Sequence, residues 1–303
     1  MTTLKLSPNS LGHYNVCRRF YWQYKVLGKR LVRSSPGRIQ GTAWHAGIAA
    51  LNRGESVQAQ EAAIDPVFAA TPTPIDDYRQ ANFVKDALAH FRVEYGDVLK
   101  SFVVEEVEAH GEVELGRIEY RSLTGDLLPA VVQFEFRRDL VVRSPDGLRY
   151  VWDFKSASRN EQVEWEAAKN SGALMAYART YTIQHNLPVH GAYLIRGIMR
   201  KPSKSGVAFE FPKDGPIYFS EDRLQEWQRQ TLRIAREILE RDPGDSDAWP
   251  LSSTDKGACR FQYGACDFLG VCSLPVADRM LKLSTDEFED AEAAKQRDAQ
   301  TRK

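Results

Sequence analysis

Two sets of residues in this 303-residue chain have the types and spacing to do chemistry, and the first is its four cysteines. Cys17 stands alone near the start, while Cys259, Cys266 and Cys272 follow a C-x6-C-x5-C spacing near the end. Three thiols at one terminus and a single distant thiol at the other suggest a clamp that ties the two ends together. Four thiolates are the ligand number of a structural zinc or of a cubane iron–sulfur cluster. The alternatives are two disulfides or four unrelated buried thiols. Disulfides fit poorly, because the chain is no short secreted scaffold, and its opening residues Met1 to Lys5 lack the apolar stretch of a secretory signal. The cluster also lacks the tight C-x2-C pair common at zinc sites.

The second set is charged. Ser144, Pro145, Asp146 and Gly147 spell a turn, with Pro in its second position and Gly in its fourth. A hairpin folded there brings Asp139 and Asp153 within one residue of being opposite, and a single bulge would put both on one face. Strand periodicity puts Asp153 and Lys155 together, with Trp152 and Phe154 pointing the other way. Two carboxylates and an ammonium on an otherwise apolar sheet are costly to bury unless something compensates them. Two carboxylates can hold Mg²⁺ or Mn²⁺ through hard oxygen ligands. The lysine can then orient a hydroxide and offset phosphate charge. The structural alternative is an exposed hairpin with a surface Lys–Asp pair. D-x-K alone is a weak pattern, and the preceding Asp and turn make it more specific.

The elements that must position these residues read as mixed helix and strand. Ser7 and Pro8 start a helix, as N-cap and first helical residue. Residues 41–51 form a second helix carrying His45, and residues 75–99 a third with Phe83, Leu88, Phe91 and Tyr95 as its apolar positions. Stretches 102–107, 111–115, 118–122 and 131–142 read as strands, rich in Val and Phe and alternating. A helix over 161–181, a strand over 189–199 and a helix over 220–241 follow. Pro243 and Gly244 open a loop into the cysteine segment, and residues after about 283 form a charged tail, helical or disordered.

Composition sets the class. Hydrophobic residues at 43% and charged residues at 27% are ordinary for a soluble globular protein. No run of about 18 apolar residues exists, so a membrane span is not expected and a cytoplasmic location is. Net charge is zero, so what matters for a nucleic-acid partner is local clustering. Arg18, Arg19, Lys25, Lys29, Arg30, Arg33 and Arg38 run without an acid among them, interleaved with Tyr14, Phe20, Tyr21, Trp22 and Tyr24. Basic side chains can neutralise phosphates while aromatics stack bases or simply pack. Arg196, Arg200, Lys201 and Lys204 form a second basic stretch. Each patch also fits a solvated helix face; beside a hydrolytic site they favour DNA.

Leu6 to Ser10, Cys17 to Phe20, Gly41 to His45, Asp139, Asp153 to Lys155, and Cys259 to Cys272 occur in one order across positions 6 to 272. In this ordered set the chain resembles the RecB/AddB-type nuclease domain of the PD-(D/E)XK superfamily, in its iron–sulfur version. CRISPR-adaptation and viral recombination exonucleases are similar to it. The resemblance implies an α/β fold with a restriction-endonuclease-like central mixed sheet flanked by helices. It implies that the N- and C-terminal segments are joined by a four-iron, four-sulfur (4Fe-4S) cluster on Cys17, Cys259, Cys266 and Cys272, mainly structural in role.

The same resemblance implies that His45, Asp139, Asp153 and the backbone carbonyl of Phe154 ligate a catalytic Mg²⁺ or Mn²⁺. Lys155 would be the catalytic lysine, with Tyr177 on the helix that follows. Without the resemblance, His45 beside Trp44 reads as a packed or surface histidine. One position departs from the pattern: the family usually carries Gln four residues before this Tyr, and here it is Ala173. The missing amide would weaken positioning of the nucleophile or scissile phosphate, and Gln162 lies in the wrong register to replace it. An acid around Glu105 and Glu106 is a further metal-site candidate, with several carboxylates competing.

The layout implied is a helical region over 1–100 contributing Cys17 and His45, a nuclease core over 101–241, a cysteine segment over 242–282 and a charged tail over 283–303. The activity implied is a metal-dependent deoxyribonuclease, an exonuclease on DNA ends or single strands, in recombination, repair or viral DNA processing. DNA is the implied partner, with a helicase or annealing protein as companion. Two other readings stand beside it: a non-catalytic DNA-binding module on the same scaffold, and a zinc-stabilised interaction domain.

Overall fold

The computed structural model describes residues 1–31, 36–71, 77–157, 169–202, 208–252, 259–261, 264–291 and 293–294. Strand β1 (Thr2–Leu6) leads into α1 (Pro8–Val16), α2 (Arg18–Tyr21), a π-helical turn (Trp22–Val26) and β2 (Lys29–Leu31). Helices α3 (Pro36–Asn52), α4 (Val57–Ala62), α5 (Asp65–Ala70) and α6 (Ala81–Lys100) precede strands β3 (Val103–Arg121), β4 (Leu127–Arg143) and β5 (Arg149–Ala157). Then come α7 (Gly172–His185), β6 (Gly191–Met199), β7 (Phe209–Glu210), β8 (Lys213–Tyr218) and α8 (Glu221–Leu239). The cysteine segment adds β9 (Arg260–Phe261), β10 (Gly264–Ala265), α9 (Leu269–Cys272), α10 (Val276–Leu283) and β11 (Phe288–Asp290).

A mixed sheet has the order β1-β4-β5-β6-β7, with β3 added on β4 and β8 on β6. β4 and β5 are antiparallel, closed by the turn in which Gly147, at φ 86°, returns its N–H to the Ser144 carbonyl. β5 and β6 run parallel, joined by a crossover that contains α7. Two compact units divide the chain: residues 34–115 with 134–230, and residues 1–33 with 116–133 and 231–303.

The first unit has its core on both faces of the sheet. Trp152 and Phe154 pack with Trp44, Ile48, Leu88 and Phe91 of α3 and α6. Val151 packs with Leu174, Ala178 and Tyr181 of α7. The alternation along β5 therefore serves two helix layers, and Asp153 takes the α7 side by parity. Gly197 lets α3 come close: a Cβ there would stand 2.9 Å from the Trp44 ring.

In the second unit, α1 starts with a capping box, the Ser7 and Ser10 hydroxyls each accepting the other's backbone N–H at 3.2 and 2.7 Å. Phe20, Phe268, Val271, Leu283 and Phe288 share a core with Cys17 and Cys266. The expected charged tail instead supplies β11, antiparallel to β2, with Glu289 accepting from Arg30 at 2.8 Å. A hydrophobic Phe288 stacked on Phe268 is what anchors it.

Other differences are local. The three short strands expected over 102–122 form one strand, β3, kinked where Glu108 takes φ 49°. The helix expected over 161–181 begins, in its described part, at Gly172 under the Ser171 cap, and residues 161–168, Gln162 included, lie outside the described residues. Tyr14, Phe20, Tyr21 and Trp22 are buried core rather than a base-stacking surface, and Arg19 is buried with them. In the second basic stretch Arg196 is buried against Asp214 and Arg200 pairs with Glu210, while Lys204 lies outside the described residues. No helix among the described residues is long and apolar enough to cross a membrane.

Candidate active site

The turn at 144–147 sets the register that places the acids. Leu140 stands opposite Trp152, and the ladder ends there. One step further the Asp139 side chain replaces the backbone partner: its Oδ2 accepts the Phe154 N–H at 2.8 Å. No bulge is involved; a carboxylate within β4, one residue beyond the last ladder pair, continues the pairing and faces the next acid. Asp153, also buried, accepts a hydrogen bond from Lys155 Nζ at 2.8 Å.

His45 arrives from α3, one residue beyond the fully buried Trp44. Its Nδ1 lies 3.6 Å from Asp139 Oδ1 and 3.5 Å from Glu108 Oε1. Ligand atoms of His45, Glu108 and Asp139 all fall within 4.8 Å of one another. Glu108 reaches this position through the left-handed kink in β3, a conformation non-glycine residues adopt at some cost and often at functional sites. Arg137 holds its other oxygen at 2.6 Å.

The electrostatics show what the cluster wants. Burial pulls the His45 pKa down, but Glu108 and Asp139 outweigh it and the net shift is upward. Burial raises Glu108, yet His45 and Arg137 bring it below the usual carboxylate range. Asp139 is pushed up to about 6 by burial and Asp153, against the pull of His45, Lys155 and the Phe154 N–H. Lys155 is raised, the desolvation that lowers it being overcome by Asp153 and Asp139, and its side chain is 52% exposed. Imidazole plus carboxylates is a donor set that can hold a divalent cation.

Tyr177 is on α7, and burial followed by the nearby Asp153 charge raises its pKa, keeping the phenol protonated. Ala173, one turn earlier, brings no polar atom of its own. Buried Arg138 secures this helix to the sheet, donating to Glu106 at 2.7 and 2.9 Å, Thr180 at 3.1 Å and Gln184 at 2.7 Å. Glu105 is taken up by Arg143, Arg149 and Tyr181. Of the acids in this stretch it is Glu108 that joins His45 and Asp139. Strand parity could not single it out, because the kink at Glu108 itself breaks that parity.

The cysteines converge in the other unit. Cys259 and Cys266 flank the β9–β10 hairpin, the Cys266 N–H bonding the Cys259 carbonyl at 3.0 Å. Cys272 ends α9, Cys17 separates α1 from α2, and all four are free thiols. Burial pushes the Cys266 thiol up to about 12, and the other three cysteines add to the shift. Among the described residues no three cysteine sulfurs lie within 4.8 Å of one another.

No curated protein matches the chain. Among solved structures, one described as "Crystal structure of SSO0001" is similar at 15% identity, covering 64% of this chain and 74% of that one with a TM-score of 0.23, a likeness too weak to carry an argument. The family model of the PD-(D/E)XK nuclease superfamily matches residues 5–273, which include the end of β1, the Asp139, Asp153 and Lys155 strands and all four cysteines, and the chain belongs to that superfamily.

Proposed function

We propose that the chain is a divalent-metal-dependent deoxyribonuclease of the RecB/AddB type, working as an exonuclease on DNA ends or single strands. The observation that carries this reading is the meeting of His45, Glu108 and Asp139 beside the Asp153–Lys155 pair. His45, Asp139, Asp153 and the Phe154 carbonyl would hold Mg²⁺ or Mn²⁺, with Glu108 as a further carboxylate. Such an ion supplies Lewis acidity at the phosphate and makes water a nucleophile at neutral pH. Lys155, its pKa raised, stays an ammonium and serves as a donor to the phosphate or the attacking water rather than as a base. Tyr177 offers a protonated hydroxyl to the same region.

On this reading Cys17, Cys259, Cys266 and Cys272 carry a 4Fe-4S cluster of structural role. The soft thiolate donors and the shared core of Cys17 and Cys266, with Cys259 and Cys272 packed against it, support it. Four free thiols fit a reducing, cytoplasmic setting, and the process served would be recombination, repair or viral DNA processing beside a helicase or annealing protein. The test is degradation of end-labelled single- and double-stranded DNA by anaerobically purified protein with Mn²⁺ or Mg²⁺, beside Asp153→Ala and Lys155→Ala. Cleavage by the wild type that both variants lack is expected. Ala173 favours one other reading, a DNA-binding module that has lost catalysis; metal-dependent binding without cleavage would establish that instead.

A further inference from the structure

Two acids of the site are each met by a cation that is far more exposed than they are. Asp153, with a side chain 4% exposed, accepts from Lys155 Nζ at 2.8 Å, and the Lys155 side chain is 52% exposed. Glu108, 14% exposed, is held by Arg137, whose side chain is 53% exposed. One cation comes from β5 and the other from β4, two residues before Asp139. The site therefore presents an ammonium and a guanidinium to solvent above carboxylates that are themselves withdrawn. An ion pair with one partner half in water contributes little to stability, so burial alone gives no account of Arg137.

The contact itself leaves part of the guanidinium unused. Arg137 Nε donates to Glu108 Oε2 at 2.8 Å, and Nη2 lies 2.6 Å from the same oxygen. Two donors thus converge on one atom, while the other oxygen, Oε1, faces His45 Nδ1 at 3.5 Å. A guanidinium carries further N–H donors in the same plane, on Nη1 and on the outer side of Nη2. Such an edge fits two oxygens of a phosphate at once, which the point charge of a lysine does not. A chain of zero net charge meets a polyanion through local cations. In the second basic stretch Arg196 and Arg200 are already consumed by Asp214 and Glu210.

We propose that Arg137 is a phosphate-binding residue of the site: its inner edge keeps Glu108 in place, and its outer edge takes a backbone phosphate of the DNA strand neighbouring the one that Lys155 meets. This deepens the nuclease reading above and rests on it. The contact is to the backbone, so it fixes the position of the strand and gives no preference for a base.

The test is fluorescence anisotropy of labelled single-stranded oligonucleotides titrated with the anaerobically purified full chain in Mn²⁺, over a series of KCl concentrations. Lys155→Ala is the background, because it keeps the carboxylates and His45 and is expected not to cut. Adding Arg137→Met should weaken binding about tenfold, equally for different sequences, and flatten the slope of log affinity against log salt by about 0.7, the share of one phosphate on a single strand. Arg137→Lys should restore the slope but only part of the affinity, since it returns the charge without the fork. Arg137→Gln serves if Arg137→Met does not fold. Binding and slope unchanged by Arg137→Met would overturn the phosphate contact; a raised Mn²⁺ requirement for cleavage in the otherwise wild-type chain would then leave Arg137 as a residue that only positions Glu108. A Lys155→Ala protein that binds no DNA would overturn the nuclease reading, and this proposal with it.

Discussion

The two chemical centres of this chain are both assembled from residues distant in sequence, yet they are held by opposite means. Where the β4–β5 ladder ends the donors are hard: carboxylates and an imidazole, placed by a continuous sheet and by helices that build the core around them. In the other unit the donors are soft, and the cysteines belong to the small apolar core itself, next to Phe20, Phe268 and Val271. On the function proposed above, removing an ion from the first centre would subtract chemistry from a finished scaffold, and removing a cluster from the second would subtract part of the scaffold. The difference follows from how much apolar surface each region buries without the site, since small cores need staples.

The largest effects should fall on catalysis. Asp139→Asn, which keeps an acceptor for the Phe154 N–H, and Asp153→Ala and Lys155→Ala are each expected to lower DNA cleavage by about 10³-fold or more, with melting temperature nearly unchanged. Chelation by EDTA should have the same outcome, reversed by Mn²⁺. Product analysis on end-labelled DNA measures the first and calorimetry the second. A large stability loss in these variants would break the contrast, because it would make the carboxylate site part of its own scaffold.

Next in size is the converse experiment. If the cysteines carry the proposed cluster, Cys17→Ala should strip it and destabilise its unit by more than about 4 kcal/mol, read by metal content and thermal unfolding. Unchanged melting and metal content would show that the cysteines do not act as a clamp. Smaller again is Arg138→Met, which leaves Glu106 buried beside an apolar chain and should cost about 3 kcal/mol in denaturant unfolding. Since α7 carries Tyr177, activity should fall in the same variant under conditions where it is still folded.

Much of this was legible in the chain because short-range rules suffice for it. The turn at Pro145 and Gly147 fixes the register of Asp139 against Asp153, and alternation sends Trp152 and Phe154 into one core and Asp153 to the other face. Ser7 and Pro8 announce α1. What was not legible depends on contacts no local rule encodes. The aromatics among Arg18 to Arg30 read equally as a stacking surface or a core, and only the return of Trp249 and Phe268 onto them decides for the core. β11 lies in a stretch whose charge suggests a solvated tail, and one buried Phe288 overrides that composition. Glu108 is hidden for a different reason: the backbone conformation that delivers it is an exception to the periodicity by which strands are read.

The smallest effect expected is also the one that most sharpens the carboxylate centre. Glu108 and Glu106 are two residues apart on one strand, both mostly buried and both engaged by arginine. They differ in what else they touch: Glu108 faces His45 at 3.5 Å, whereas Glu106 accepts from Arg138 and lies 2.8 Å from His185 Nε2. Glu108→Gln keeps the shape and removes the charge, so it should raise the Mn²⁺ concentration needed for half-maximal cleavage about tenfold, a change of about 1.4 kcal/mol. Glu106→Gln should leave that metal requirement where it is and lower stability instead, because it unbalances the buried Arg138. A metal titration of cleavage in the two variants separates these outcomes. Equal metal dependence in both would remove Glu108 from the centre and leave its kinked backbone serving only the Arg137 pair.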